Sequence, residues 1–257
     1  IYLMAHSGGT PIAIQAAARA PQLYNAYIAM AQITQQSESE RMAYQYMLEQ
    51  YTIRNNEKAL NELKKYPVTD NDTSFVPFFK SLIRDKAMHE LGIGTMHHMK
   101  SIFTGVFLPS WTCKAYTLKE KYNIWVSKFK FVKKARFNDE LFEMDIPRMI
   151  PELKIPVYFF SGKYDFTVNI GLSEKYLTTL KAPLKGFYTF AHSAHSPLFE
   201  EPVKVKEIFV TDILQGKNTL ADKPEITSEK KSESPQQIIT YFTTANNEYV
   251  HIFLMNC

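Results

Sequence analysis

The chain has 257 residues, 45% of them hydrophobic and 22% charged, which excludes collagen-like, disordered and small disulfide-stapled classes and leaves one globular domain or a domain with a large insertion. A net charge of +4 with a pI near 8.8 is too mild to point to nucleic acid or a membrane surface as partner. Cys113 and Cys257 lie far apart and form neither a metal-ligand spacing nor a disulfide framework, so a reducing, cytoplasmic compartment is expected.

Ile1 to Ala18 carries no formal charge and is about the length of a membrane span. Gly8, Gly9 and Pro11 interrupt it, however, and no basic region precedes it as in a secretory signal, so no integral membrane segment is expected. The chain opens on Ile, and its glycine share is about half the usual value of roughly 7%, as if it began in mid-domain. Ile1-Tyr2-Leu3-Met4 predicts a strand ending at Ala5-His6-Ser7-Gly8-Gly9. Pro11 suits a first helical turn, and Ile12, Ala13, Ala16, Ala17 and Ala20 keep helical spacing up to Pro21. Leu23 to Ile33 then reads as a buried strand, completing a βαβ unit.

From Thr34 to Ile150 the patterns turn helical and rich in Met, Tyr and Phe. Ser37 with Glu40, and Thr117 with Glu120, have the spacing of capping boxes. The apolar run Phe103 to Trp111 is expected to pack in a core, although it also has the character of a pocket lining or hinge. Strand signals return at Val157 to Phe160, leading into Ser161-Gly162-Lys163-Tyr164-Asp165. A helix near Ser173 to Leu180, a strand at Lys185 to Phe190 and a helix near Val203 to Leu214 follow. Lys217 to Gln237 is polar and linker-like, and the apolar stretch Ile238 to Met255 has no assigned place. The expected organisation is α/β: core over 1–34, a helical block over 35–150, core again over 151–216, and linker and tail over 217–257.

A serine in a sharp turn between strand and helix has the geometry of a nucleophile elbow, in which small neighbours let the backbone turn and lift Oγ clear of the sheet. Ser7 stands in such a turn, with Ala5 where the G-x-S-x-G pattern has its first glycine. The Gly8 N–H, at the start of the helix, can face an oxyanion. A serine nucleophile needs a base and an acid to orient it; Asp165 follows Ser7 by 158 residues, and His195 follows 30 later, each after a strand.

Through MAHSGG, IPVYFFSGKYD and SAHSPLFEEP the sequence resembles the α/β-hydrolase superfamily, and within it capped enzymes of the proline iminopeptidase type, from residue 1 to about residue 215. The resemblance implies an α/β-hydrolase fold with Ser7 as nucleophile, Asp165 as acid, His195 rather than His192 as base, and Gly8 as oxyanion donor. It also implies that the block at about 35 to 150 is a helical cap. Members of the superfamily carry strands and an H-G-type loop ahead of the elbow, the loop giving a second oxyanion donor. No such residues precede Ile1, so this stretch is expected to be a fragment with little or no activity by itself, since one lost donor costs about 10²–10³ in rate.

The function expected is cleavage of an ester or amide, with peptides among the candidates, through an acyl-enzyme and without cofactor or metal; the competing reading is a remnant or binding module on the same scaffold. Small molecules or peptides, and not nucleic acid, are the expected partners. His6 is expected to pack beside the elbow, and His89, His97 and His98 lack acidic or cysteine co-ligands for a metal. Eight basic residues and one acid, Glu120, fall between Lys114 and Arg136, interleaved with aromatics, and read as an amphipathic element of the helical block.

Overall fold

A computed structural model describes residues 1–69, 74–134 and 137–222. Four strands, β1 (Tyr2–His6), β2 (Ala26–Met30), β3 (Val157–Gly162) and β4 (Lys185–Phe190), form one parallel sheet in that order. Parallel neighbours need crossovers, and helices provide them: α1 (Thr10–Arg19) between β1 and β2, and α10 (Ile170–Thr179) between β3 and β4. Period-2 alternation divides the strands between two cores. Tyr27, Ala29, Val157 and Phe159 meet Ile14, Ala17, Tyr176 and Leu177 of α1 and α10 on one face. Ile28, Met30, Tyr158, Phe160 and Tyr188 meet Val205 and Ile208 of α12 (Pro202–Thr211) on the other. Burial on both faces explains why β2 and β3 read as continuous apolar runs.

β2 is shorter than the apolar run that announced it. Pro21–Leu23 forms a 3₁₀ turn, pairing starts where Asn25 N–H donates to Ile1 O, and Ala31, at φ 53°, ends the strand. The outer edge of β4 is covered: Asn218 Nδ2 donates to Lys185 O, Asp222 N–H to Phe187 O, and Thr189 N–H to the Asp222 carboxylate, which satisfies edge groups that would otherwise pair with another chain. The rest of the polar run to Gln237 and the stretch Ile238 to Met255 lie outside the described residues.

Between β2 and β3 the chain forms α2 (Gln36–Ile53), α3 (Glu57–Leu63), α4 (Phe75–Phe79), α5 (Leu82–Leu91), α6 (Leu108–Thr112), α7 (Leu118–Lys134), α8 (Phe137–Glu143) and α9 (Ile146–Met149). It leaves the core at Thr34 and returns at Ile146, whose N–H donates to Thr34 O at 3.0 Å. Tyr44, Met47, Tyr51, Phe75, Phe78 and Met88 build a core of this block separate from those of the sheet.

Of the two expected capping boxes one forms. Thr117 N–H donates to the Glu120 carboxylate at 2.8 Å and Glu120 N–H to Thr117 Oγ1 at 3.3 Å, starting α7. Ser37 instead lies inside α2, and the Glu40 carboxylate accepts from the side chains of Arg84 and Gln36 rather than from the Ser37 N–H. The expectation that Phe103 to Trp111 packs in a core is also overturned. Phe103–Phe107 forms a turn of π-helix, no residue of it or of α6 is buried, and Phe107 packs against the nearby rings of Phe103, Trp111 and Trp125. Replacing fully buried Phe159 by Ala is therefore expected to lower stability by about 3–5 kcal/mol, against under about 0.5 for Phe103→Ala, whose side chain is largely exposed. Urea unfolding of the two variants checks this, and equal losses would contradict the assignment of the core.

Candidate active site

All strands run the same way, so the residues following β1, β3 and β4 emerge at one edge of the sheet, where ligands of open α/β sheets bind. Ser7, Asp165 and His195 lie there, each almost wholly buried. Ser7 directly follows β1 and opens a 3₁₀ turn, Ser7–Gly9, that runs into α1. Its φ of 53° is a left-handed conformation that a non-glycine residue adopts only under constraint. Thr10 supplies part of that constraint, since its hydroxyl donates to Ser7 O at 2.7 Å and accepts the Ile33 N–H at 3.0 Å. Gly8 is buried in the first turn, where N–H groups lack intrahelical partners.

His195 Nε2 lies 2.7 Å from Ser7 Oγ, and its Nδ1 lies 2.9 Å from Asp165 Oδ2. The tautomer that satisfies both donates Nδ1–H to the carboxylate and leaves Nε2 to accept the serine proton. The other Asp165 oxygen accepts the Val168 N–H at 2.9 Å, which orients the carboxylate. At Gly162, the end of β3, a Cβ would collide with Ala194 O; only glycine lets the strand approach the histidine loop this closely. The sequence-expected serine, acid and base are thus brought together, with the Gly8 backbone beside them. His192 is not with them: its side chain is exposed and its N–H donates to Glu201.

His6 packs beside the elbow as expected. Its Nε2–H donates to His195 O at 2.7 Å and the two rings lie 4.9 Å apart. Burial, aided by the charge His195 can carry, pushes its pKa down to about 3. His89 and His97 are held by backbone carbonyls of Asp85 and Gly92, and among the described residues no group of three His, Cys, Asp or Glu side chains is arranged to hold a metal ion. Nor is any helix among them long and apolar enough to cross a membrane.

Sequence reasoning missed the polar residues around this site. From α2, Gln36 Nε2 and Ser39 Oγ donate to Thr167 O, and Ser39 Oγ accepts the Asn169 N–H, so the loop after Asp165 is tied to the helical block. Glu40 and Arg84 form a buried ion pair behind them. Glu200 and Glu201 accept backbone N–H groups of the histidine loop. The only sequence signal for any of these was the pair of glutamates in SAHSPLFEEP.

No family model matches the chain. A probable aminopeptidase of Bacillus subtilis (strain 168), YbaC, is 28% identical over 207 residues, which cover 79% of this chain and 61% of that protein. The chain thus spans about three fifths of the length of this curated relative. Among solved structures, a proline iminopeptidase from Mycobacterium smegmatis superposes with a TM-score of 0.52 at 11% identity, over 83% of this chain and 64% of that one.

Below pH 6.5 an unfolded chain protonates His6, while the folded chain does not until about pH 3. Stability contributed by this neutral histidine is therefore present above pH 6.5 and is lost as pH falls toward 3, by up to about 1.4 kcal/mol per pH unit. His6→Gln is expected to flatten that slope relative to wild type in urea unfolding between pH 4 and 7. Parallel slopes would show that His6 is not held neutral.

Proposed function

From its α/β-hydrolase fold we propose that the protein is a serine hydrolase that cleaves an ester or amide through an acyl-enzyme. The observation that carries this reading is the unbroken hydrogen-bonded chain Ser7–His195–Asp165, with Ser7 held in a strained backbone conformation at the end of β1. Ser7 Oγ attacks the carbonyl carbon while its proton passes to His195 Nε2. The resulting oxyanion lies toward the Gly8 N–H, where the start of α1 favours negative charge. Asp165 holds the Nδ1–H tautomer and stabilises the imidazolium. His195 then returns the proton to the departing alkoxide or amine as the carbonyl bond to it breaks. Water, deprotonated by the same nitrogen, attacks the acyl-serine; the carboxylic acid leaves and Ser7 regains its proton.

In this reading the helical block between Thr34 and Ile146 is a cap over the site. The similarity to a probable aminopeptidase favours an amide, and so a small peptide, as substrate. No metal or cofactor enters any step.

A fluorophosphonate reports a serine activated in this way. Wild-type protein is expected to become labelled, Ser7→Ala not at all, and Asp165→Asn about 10⁴-fold more slowly because its amide leaves the imidazole in the wrong tautomer. Labelling that persists in Ser7→Ala, or a folded wild-type chain that binds a partner yet never labels, would replace the enzyme with a binding scaffold.

A further inference from the structure

Besides α2, the helical block meets the sheet at the site through the loop of residues 92–97, and one carboxylate bridges that loop to the histidine loop. Glu200, the last residue of the short helix α11 (Pro197–Glu200), accepts the His97 N–H at Oε1 (2.5 Å) and the Ala194 N–H at Oε2 (2.9 Å). The first donor belongs to the helical block; the second precedes His195. The same loop makes three further contacts with the acid and histidine loops. Gly94 O accepts the His195 N–H at 3.2 Å, Ile93 O accepts the Phe166 N–H at 3.2 Å, and the His97 ring stacks on Tyr164 at 3.7 Å and 12°. Residues on both sides of Asp165, and the backbone of His195 itself, are therefore gripped by Ile93, Gly94 and His97 of the helical block.

The neighbouring glutamate makes the comparison that assigns a role. Glu201 accepts the His192 N–H and the Ser193 hydroxyl, closing the histidine loop on its own chain without reaching the helical block. Glu200 alone of the two spans the two parts. Partial burial raises its pKa, opposed by the hydrogen bonds from His97 and Ala194, so the half-buried carboxylate is held by these backbone donors.

We propose that Glu200 is a positioning residue that pins the 92–97 loop to the histidine loop, so that seating of the helical block sets the alignment of His195 between Asp165 and Ser7. The geometry stands by itself; the consequence for rate rests on the serine-hydrolase reading. With Glu200 removed, the 92–97 loop can move away from the histidine loop, taking Gly94 O from His195 N–H, and the imidazole loses its register. A displacement of about 1 Å at such a site costs on the order of 10²-fold in rate.

The test is made on the full chain with ¹⁵N-histidine, following the titration midpoint of the His195 ring, which faces Asp165, Ser7 and His6, alongside the rate of fluorophosphonate labelling and the thermal unfolding temperature. Glu200→Gln keeps one acceptor oxygen and is expected to shift the His195 midpoint and slow labelling about 10- to 100-fold. His97→Ala, which removes the stacking on Tyr164 and the Nδ1 bond to Gly92 O, is expected to do the same in milder form and carries the test if Glu200→Gln does not fold. Glu201→Gln is expected to slow labelling less than about threefold. The proposal is overturned if folded Glu200→Gln matches wild type in midpoint and rate, or if Glu201→Gln matches Glu200→Gln in both. If wild type never labels and Glu200→Gln still shifts the midpoint, the positioning role stands and the hydrolase reading fails.

Discussion

The site depends on keeping Ser7 at a positive φ at the end of β1. In that conformation the chain reverses from strand to helix within one turn, so that Oγ faces the histidine while Gly8 enters the turn behind it. A non-glycine residue in the left-handed region costs about 1–2 kcal/mol, which the surroundings must offset. Thr10 does so through both ends of its hydroxyl, toward Ser7 O and from Ile33 N–H, and the Tyr27 hydroxyl bonds Gln32 at 2.7 Å beside it. The strain is thus held by the buried ends of β1 and β2, whose parallel pairing runs from Tyr2–Ala26 to His6–Met30.

A second constraint fixes the acid. Asp165 sits on a loop, and loops are mobile unless tied down. Here one carboxylate oxygen is bonded to Val168 N–H, and the residues just beyond are held by Gln36 and Ser39 from α2. Behind that polar face of α2 stands the Glu40–Arg84 ion pair, with the Arg84 guanidinium also over the Phe79 ring. A buried pair of this kind adds little net stability against an apolar replacement, whereas loss of one partner costs about 3–5 kcal/mol. It therefore fixes where α2 meets the acid loop more than it strengthens the fold. Helical block and sheet consequently both hold the loop that carries Asp165.

Much of this was legible in the sequence, because local chemistry decides it. Pro11 and the alanines marked α1, the β-branched and aromatic run marked β3, and Lys185 to Phe190 marked β4 within its observed bounds. Ser7, Asp165 and His195 stood out because a sharp turn after a strand, and an acid and a histidine after later strands, are patterns of single short segments. Where reading failed, a distant partner had decided the outcome. Ser37 and Glu40 had the spacing of a cap, but Arg84, 44 residues on, takes the carboxylate. Phe103 to Trp111 had the composition of a core, and composition does not record that none of its residues is buried.

The sequence by itself determined the order of strands and helices and the sharp turn at Ser7, since each rests on propensity, periodicity or turn chemistry within a few residues, and its resemblance through SAHSPLFEEP singled out His195 over His192. Only the tertiary structure decided that Ser7, His195 and Asp165 meet at 2.7 and 2.9 Å, that His6 is neutral behind them, and that Glu200 rather than Glu201 reaches the helical block. The reason is physical: hydrogen bonds between residues more than a hundred positions apart depend on the parallel register of the sheet and on which donors the fold brings within reach of each carboxylate, and neither quantity is written in a local pattern.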